Sequence, residues 1–400
     1  MASDVHVARF GTLSDVPLLS GGFRLFFLLG ALWAIVVPGL FITALAGKPV
    51  LPAGIDPIAW HRHEMLFGYL GAVVGGFLLT AIPNWTGRPP LKGAALLALA
   101  SLWLAGRLAV ILSGAIGIAG AVLLDAGFLL VMAAIAGAEL YAARNRNVPV
   151  VVLTAVLAIA STLDLIEGAG AIPPSGLGYR IGVGAILTMV MLIGGRLIPT
   201  FTRNWLVNRG VEPRLPPAMQ RFDLAVLVAG GLAMLAWIGA PSARPTGIAL
   251  VAAGLLNLAR LLRWRGWRTG AEPLVMILHL AYLWVPVGLV LLGASILGAA
   301  IPASAGLHAL TAGAFGGMTL AVMTRASLGH TGRPLHAGPA TCAIYVMIMT
   351  AVLLRVAAPV LPIDYMRSIH AAAAAWIAAF GLFILFYAPV LFRPRAHGRV

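Results

Sequence analysis

The histidines are the residues of this chain most suited to binding a metal or a haem. The segment Trp60–Glu64 carries His61 and His63 at the start of a long apolar stretch, and His308 and His370 stand near the start of two later ones. Neutral imidazole is the commonest transition-metal ligand and an axial ligand of haem iron. Imidazoles converging from three stretches would bind a metal, whereas histidines bonded only to backbone carbonyls would be structural. The sequence leaves both interpretations open.

A second group of histidines is expected at the other end of the apolar stretches. His279 lies inside the stretch MILHLAYLW, and His330 and His336 follow in ASLGHTGRPLH. A histidine as deeply placed as His279 has to be neutral, paired or metal-bound, while His330 and His336 are equally compatible with solvated loops. Imidazole and thioether ligands also suit copper, although membrane methionines usually belong to the core; those nearby in sequence are Met318, Met323, Met347 and Met349.

Arginines within or at the ends of apolar stretches form the third set of candidates. A planar guanidinium binds carboxylates such as haem propionates well, but it also snorkels or pairs with acidic side chains of the protein. The arginines are Arg107, Arg196, Arg325 and Arg355, and the acidic side chains available to them are Asp125, Glu139, Asp164 and Glu167. The sequence assigns no pairs.

The elements that position these residues are predicted to be transmembrane helices. Hydrophobic residues make up 61% of the 400 and charged residues 10%, against about 25% charged in soluble domains. A spanning helix needs about 20 apolar residues. The sequence predicts an all-α polytopic protein, one integral-membrane domain over residues 1–400, with spans near 22–46, 60–82, 93–112, 115–142, 148–168, 180–201, 221–240, 245–264, 272–297, 305–325, 340–361 and 366–391.

The basic residues predict orientation rather than nucleic-acid binding. The net charge of +15 would indicate a nucleic-acid partner in a soluble protein, but here the charges separate apolar stretches. Most lie in connections after even-numbered spans, so the positive-inside rule places both termini in the cytoplasm of an inner-membrane protein. We expect the lipid bilayer as partner and no nucleic acid. The single cysteine, Cys342, excludes an internal disulfide and a covalent CxxCH haem attachment.

Glycine pairs recur at a spacing that predicts an internal repeat. They stand at residues 75–76, 194–195 and 316–317, and Thr-Arg follows the second and third pairs at the same offset. A period of about 120 residues corresponds to four helices, so we expect three repeats of four. Chance recurrence in a chain with 47 glycines is the alternative.

A stripe of small residues runs along the second predicted helix. At 3.6 residues per turn, His61, Glu64, Gly68, Gly71 and Gly75 share one face, and His63 lies on roughly the opposite one. A flat surface of this kind accepts either a neighbouring helix or a porphyrin plane.

Long segments of the chain closely resemble the signature stretches of the NnrS family. They are WHRHEMLFGYLGAVVGGFLLTAIPNWTG, IGGRLIPTFTRNW, LHLAYLW and HALTAGAFGGMTLAVMTRASLGHTGR. The resemblance implies a bacterial inner-membrane protein of twelve helices that carries haem and copper and is linked to denitrification and nitric oxide stress. The residues that match family motifs are His61, His63, Glu64, His279, His308, His330, Arg196, Arg203 and Arg325, whereas His336 and His370 match none.

We therefore expect non-covalent haem b, bound by His308 and by His61 or His63, with Arg196 or Arg325 directed toward its propionates if the haem plane reaches inward. His330 is a candidate ligand of a second metal. Haem–copper oxidases also repeat four-helix arcs three times, which is an analogy of fold alone. Whether the chain is a nitric-oxide-handling oxidoreductase or a carrier, and which electron donor serves it, stays open. The alternative function is a metal-free secondary transporter of an anionic or metal-chelate substrate.

Overall fold

Twelve long helices account for most of the computed structural model, which describes residues 12–48, 55–211 and 215–396. Within those ranges the chain forms helices and no strands. All twelve are long and apolar enough to cross a membrane, which confirms the predicted polytopic all-α class. They are α1 Gly22–Leu45, α2 Pro57–Thr86, α3 Ala94–Ile111, α4 Ile118–Ala142, α5 Val148–Gly168, α6 Leu177–Asn208, α7 Arg221–Gly239, α8 Arg244–Arg268, α9 Pro273–Ile296, α10 Ala303–His330, α11 Pro339–Ala357 and α12 Tyr365–Phe392.

Three helices run well past the ends that hydropathy predicts. Helix α2 continues through Pro83 to Thr86, α6 continues through Pro199 to Asn208, and α10 continues past Arg325 to His330. The apolar pattern ends earlier because it stops at prolines and charged residues, although a proline removes only one backbone donor from a helix. Helix α2 finally ends at Gly87, whose φ of 71° is the left-handed conformation common after a helix C-terminus.

Three helices, α2, α6 and α10, occupy the centre of the bundle. Helix α6 packs against both α2 and α10, and the hydroxyls of Tyr69 and Thr319 join α2 to α10. Each central helix also contacts an equivalent partner, since α2 packs on α5, α6 on α9 and α10 on α1. This threefold pattern agrees with three repeats of four helices.

The recurring glycine pairs make room for large side chains from neighbouring helices. A Cβ atom at Gly75 would lie 3.2 Å from the Phe128 ring, and one at Gly194 would lie 3.3 Å from the Tyr282 ring. At Gly316 a Cβ atom would lie 2.5 Å from the Trp376 ring. In each of the three central helices, a glycine of the recurring pair therefore packs against an aromatic ring from a neighbouring helix.

The start of α1 and the end of α12 lie on one side of the bundle. Arg24, at the start of α1, donates hydrogen bonds through Nη1 to the carbonyl oxygens of Leu391 and Arg393 at the end of α12, at 2.6 and 2.7 Å. We call this the terminal side and the other end of the bundle the opposite side. Before α1, residues 12–20 contain two short 3-10 turns, and residues 1–11 lie outside the described ranges.

Candidate functional site

Two central helices depart from α-helical geometry on the opposite side, next to candidate histidines. Residues Glu64–Tyr69 of α2 form a π-helical segment directly after His63, and Ala309–Gly316 of α10 form another directly after His308. π-Helical turns are rare and often occur at functional sites, because they rotate the side chains that flank them. They identify this region as the first place to look for a site.

His308 presents one ring nitrogen for a ligand. Its Nδ1 lies 2.8 Å from the carbonyl oxygen of Ser304, and a carbonyl oxygen only accepts, so the Nδ1 atom carries the proton. Nε2 is then left with its lone pair. A backbone carbonyl that orients the other imidazole nitrogen is the usual second interaction of a metal-binding histidine.

His61 lies near His308, across the boundary between α2 and α10. Its ring stacks on Phe41 of α1, with ring centroids 4.1 Å apart and planes 18° from parallel. Its Nδ1 is buried and has no hydrogen-bond partner among the described residues. His61 and His308 lie close enough to influence each other electrostatically, and both lie within such reach of Arg355 of α11. The structure therefore brings His61 and His308 together.

Arg355 adds a cation to this pair. Its Nη1 is buried and has no acceptor in the described part of the chain, while another part of its guanidinium bonds the Tyr365 side chain. A buried donor without an acceptor is costly, and an anionic group of a bound molecule would satisfy it. Two imidazoles beside a guanidinium fit a haem, which needs axial nitrogen ligands and a cation for its propionates.

His370 is on the same side but faces outward. Its ring Nδ1 lies 2.6 Å from the carbonyl oxygen of Met366 one turn earlier in α12, and the residue is exposed. Its assignment as a metal ligand stays a prediction.

Glu64 belongs to a buried charged cluster between α2, α3 and α4. Arg107 donates through Nη1 to Glu64 Oε2 at 2.7 Å and pairs through Nη2 with Asp125. Trp33 Nε1 donates to the same Glu64 oxygen at 2.6 Å. These side chains are almost completely buried, so the pairing offsets the cost of placing charges in the bundle.

His63 lies within this cluster. Its Nδ1 is 3.1 Å from Asp164 Oδ2 and its Nε2 is 3.3 Å from Asp125 Oδ2, and Arg62 pairs with Asp164 at 2.6 Å. Both ring nitrogens therefore face carboxylates. His63 remains a predicted metal ligand, but the geometry favours His61 as the partner of His308.

The glycine stripe of α2 packs against neighbouring helices. A Cβ atom at Gly68 would lie 2.7 Å from Arg107 Nη1, and one at Gly75 would lie 3.2 Å from the Phe128 ring. Of the two partners that the sequence allowed, the structure supports helices rather than a porphyrin on this face. Although His63 was expected on roughly the opposite face, it belongs to one cluster with Glu64, because Arg107 and Asp125 from α3 and α4 link the two.

The remaining candidates lie near the terminal side. His279 Nε2 is 2.8 Å from the Thr202 hydroxyl, and Arg325 stacks over the ring of Phe201 at 4.1 Å. Arg196 donates to Asn147 Oδ1 at 2.7 Å. His330 is exposed, and its ring centroid lies 5.4 Å from that of Phe23. His336 Nδ1 lies 3.1 Å from Glu272 Oε2.

Distance separates these residues from the His61–His308 pair. Arg325 is 17 residues after His308 in α10, which at 1.5 Å per residue is about 25 Å. The cation beside His61 and His308 is thus Arg355, and the expected role of Arg325 or Arg196 at haem propionates stays a prediction. Among the described residues no group of three or more His, Cys, Asp or Glu side chains is suited to a metal ion, and the copper assignment stays a prediction.

Sequence reasoning identified most of these side chains but not their partners. Arg107, Arg355, Asp125 and Asp164 are recognisable as charged residues in apolar stretches, yet nothing in the sequence pairs them. Phe41 and Trp33, which support His61 and Glu64, carry no signal, because aromatic residues are ordinary in a membrane helix.

Comparison with known proteins supports the family resemblance. A search of curated proteins found no match. The model of one protein family, described as NnrS protein, matches residues 17–395, which is nearly the whole chain and includes all twelve helices. The chain therefore belongs to the NnrS family.

Proposed function

We propose that this protein binds haem b non-covalently between His61 and His308 and acts on, or responds to, nitric oxide or a related nitrogen oxide. The observation that carries the proposal is the meeting of two imidazoles from separate helices beside Arg355, whose buried Nη1 has no acceptor in the described ranges. Membership of the NnrS family supports the functional half, because it suggests a protein linked to the nitric oxide response.

Each side chain has a defined role in this proposal. Haem iron, when bound, supplies a centre that binds nitric oxide and exchanges electrons. Ser304 holds the proton of His308 at Nδ1, which would leave Nε2 free to bind the iron. Phe41 restricts rotation of the His61 ring by stacking, and Arg355 would bind the propionate charge. The electron donor and a possible copper site belong to the proposal only as expectations of the family.

The test is the absorption spectrum and haem content of the purified chain, with His308→Ala, His61→Ala and His370→Ala compared with the wild type. We expect a Soret band in the wild type that shifts on addition of nitric oxide. His308→Ala and His61→Ala should lose most of the haem or change its axial ligation. His370→Ala is the matched control and should keep the spectrum, because that ring is exposed and bonds its own helix.

Two outcomes would overturn the proposal. One is a folded wild-type protein that binds no haem when haem is supplied during synthesis. The other is an unchanged spectrum in both His308→Ala and His61→Ala.

The charged cluster around Arg107 favours the alternative, a metal-free secondary transporter, because ionisable residues at membrane depth often mark a substrate or ion pathway. The same spectra separate the two functions. A colourless, fully folded protein that accumulates an anion in vesicles would support transport.

A further inference from the structure

A cavity of about 90 Å³, partly open to the outside of the bundle, lies where the three central helices meet. It is lined by Leu70 and Val74 of α2, Ile186 and Val190 of α6, and Phe315 and Val322 of α10, with single residues from α5 and α9. Val74, Val190 and Val322 keep partial accessibility although they belong to the most enclosed helices of the bundle. This accessible surface is the wall of the cavity.

The lining offers almost nothing to a polar molecule. Among the described residues that line the cavity, Thr319 has the one polar side chain. Its hydroxyl is already engaged, because it donates to the carbonyl oxygen of Gly316 at 2.8 Å and accepts from the Tyr69 hydroxyl. A buried water needs two to four polar partners, so water has no stable position here.

The volume of the cavity limits the size of the molecule that it can bind. A cavity of about 90 Å³ is far below the roughly 300–1,000 Å³ of sites for drug-sized ligands. An engineered apolar cavity of about 150 Å³ in another protein stays dry and binds xenon or benzene. We infer that this central cavity is a binding site for a small, uncharged, apolar gas molecule, of which nitric oxide is one.

The position of the cavity relates it to the proposed haem site. Phe315 follows His308 by seven residues and Leu70 follows His61 by nine, which places the cavity about 10–14 Å further into the bundle along α10 and α2. The choice of nitric oxide as the gas rests on the proposed function. The inference that the cavity can hold an apolar gas does not depend on the proposed function.

Xenon is the probe that tests the cavity by itself. We expect the purified full chain to bind xenon, detected by ¹²⁹Xe NMR and located between α2, α6 and α10 in a xenon-pressurised crystal. The measurement is repeated on His308→Ala, where xenon binding should persist. Failure of the haem proposal would therefore leave this result intact, and failure of xenon binding would leave the haem spectra intact.

Filling the cavity locates the binding. Val190→Phe should abolish xenon binding, whereas Val346→Phe, a matched change at a side chain 58% exposed on the outer surface of α11, should leave it unchanged. If Val190→Phe does not fold, the smaller change Val74→Leu should still weaken binding. In a chain that retains haem, Val190→Phe should also slow the binding of nitric oxide.

Three results would contradict the inference. They are a wild-type chain that binds no xenon, a folded Val190→Phe variant that binds it undiminished, and a lipid acyl chain or ordered water occupying the cavity in an experimental map.

Discussion

At the scale of single residues, burial separates two ion pairs that look alike in the sequence. Asp125 and Glu139 lie on the same helix, α4, and each pairs with one arginine. The Asp125 and Arg107 side chains are 0% and 1% exposed, whereas those of Glu139 and Arg88 are 31% and 48% exposed. Removing one partner of a buried pair leaves the other charge uncompensated, while an exposed pair is screened.

We therefore predict that Asp125→Asn destabilises the protein by about 1–3 kcal/mol, because Nη2 of Arg107 loses its carboxylate partner while Nη1 keeps Glu64. Glu139→Gln, the matched control, should cost no more than about 1 kcal/mol. Denaturant or thermal unfolding of the purified protein in detergent measures both. Equal losses of stability for the two variants would contradict the burial argument.

At the scale of helices, close approach at a glycine aligns α5 with α6. A Cβ atom at Gly178 of α6 would lie 2.6 Å from the Asp164 Cα atom, so only glycine permits this contact. Asp164 is the residue that binds Arg62 and His63. The packing of two helices thus determines one corner of the charged cluster.

Gly178→Ala should destabilise the protein by about 1–3 kcal/mol, as expected for added volume in a packed core, and should displace Asp164 from His63. Gly231→Ala on α7 is the control, since its Cβ atom would meet nothing described within 4 Å. Alanine there should be neutral or stabilising by up to about 1 kcal/mol. The unfolding midpoints of the two variants measure the difference in stability. An unchanged midpoint for Gly178→Ala would contradict the prediction, because it would show that α5 can move away from residue 178 without loss of stability.

At the scale of the whole molecule, the start of α1 and the end of α12 lie on the terminal side. The even-numbered helices also end there, and most basic residues lie near those helix ends or in the connections that follow, namely Arg88, Lys92, Arg144, Arg146, Arg203, Arg209, Arg263, Arg265, Arg268 and Arg333. The basic residues near the other helix ends are fewer, namely Lys48, Arg62, Arg180, Arg244, Arg355 and Arg367. The terminal side is therefore predicted to face the cytoplasm.

Reporter fusions measure this orientation directly. A fluorescent protein that matures only in the cytoplasm should fluoresce at the carboxyl terminus. A phosphatase active only outside the cytoplasm should be active when fused in the connection between α11 and α12 and inactive at the terminus. The reverse pattern would place the His61–His308 pair near the cytoplasmic face.

The sequence alone determined the membrane class, the twelve helices, the family and the types of residue in the site. These follow from local properties, because about 20 apolar residues suffice to define a span and long motif strings define a family. The predicted spans 93–112 and 115–142 had the shortest predicted connection. They are separate helices, α3 and α4, joined through residues 112–117.

Only the tertiary structure decided which of these residues meet. The spacing of histidines in a sequence shows neither which helix lies opposite them nor how a π-helical turn rotates them. His61 and His63 are only two residues apart, yet His61 stacks on Phe41 and His63 lies between two aspartates. The pairing of Arg107 with Asp125, the place of Arg355 beside His308 and the apolar central cavity all depend on how separate helices pack. Contacts between helices are properties of the assembled bundle, and no single segment of the sequence contains them.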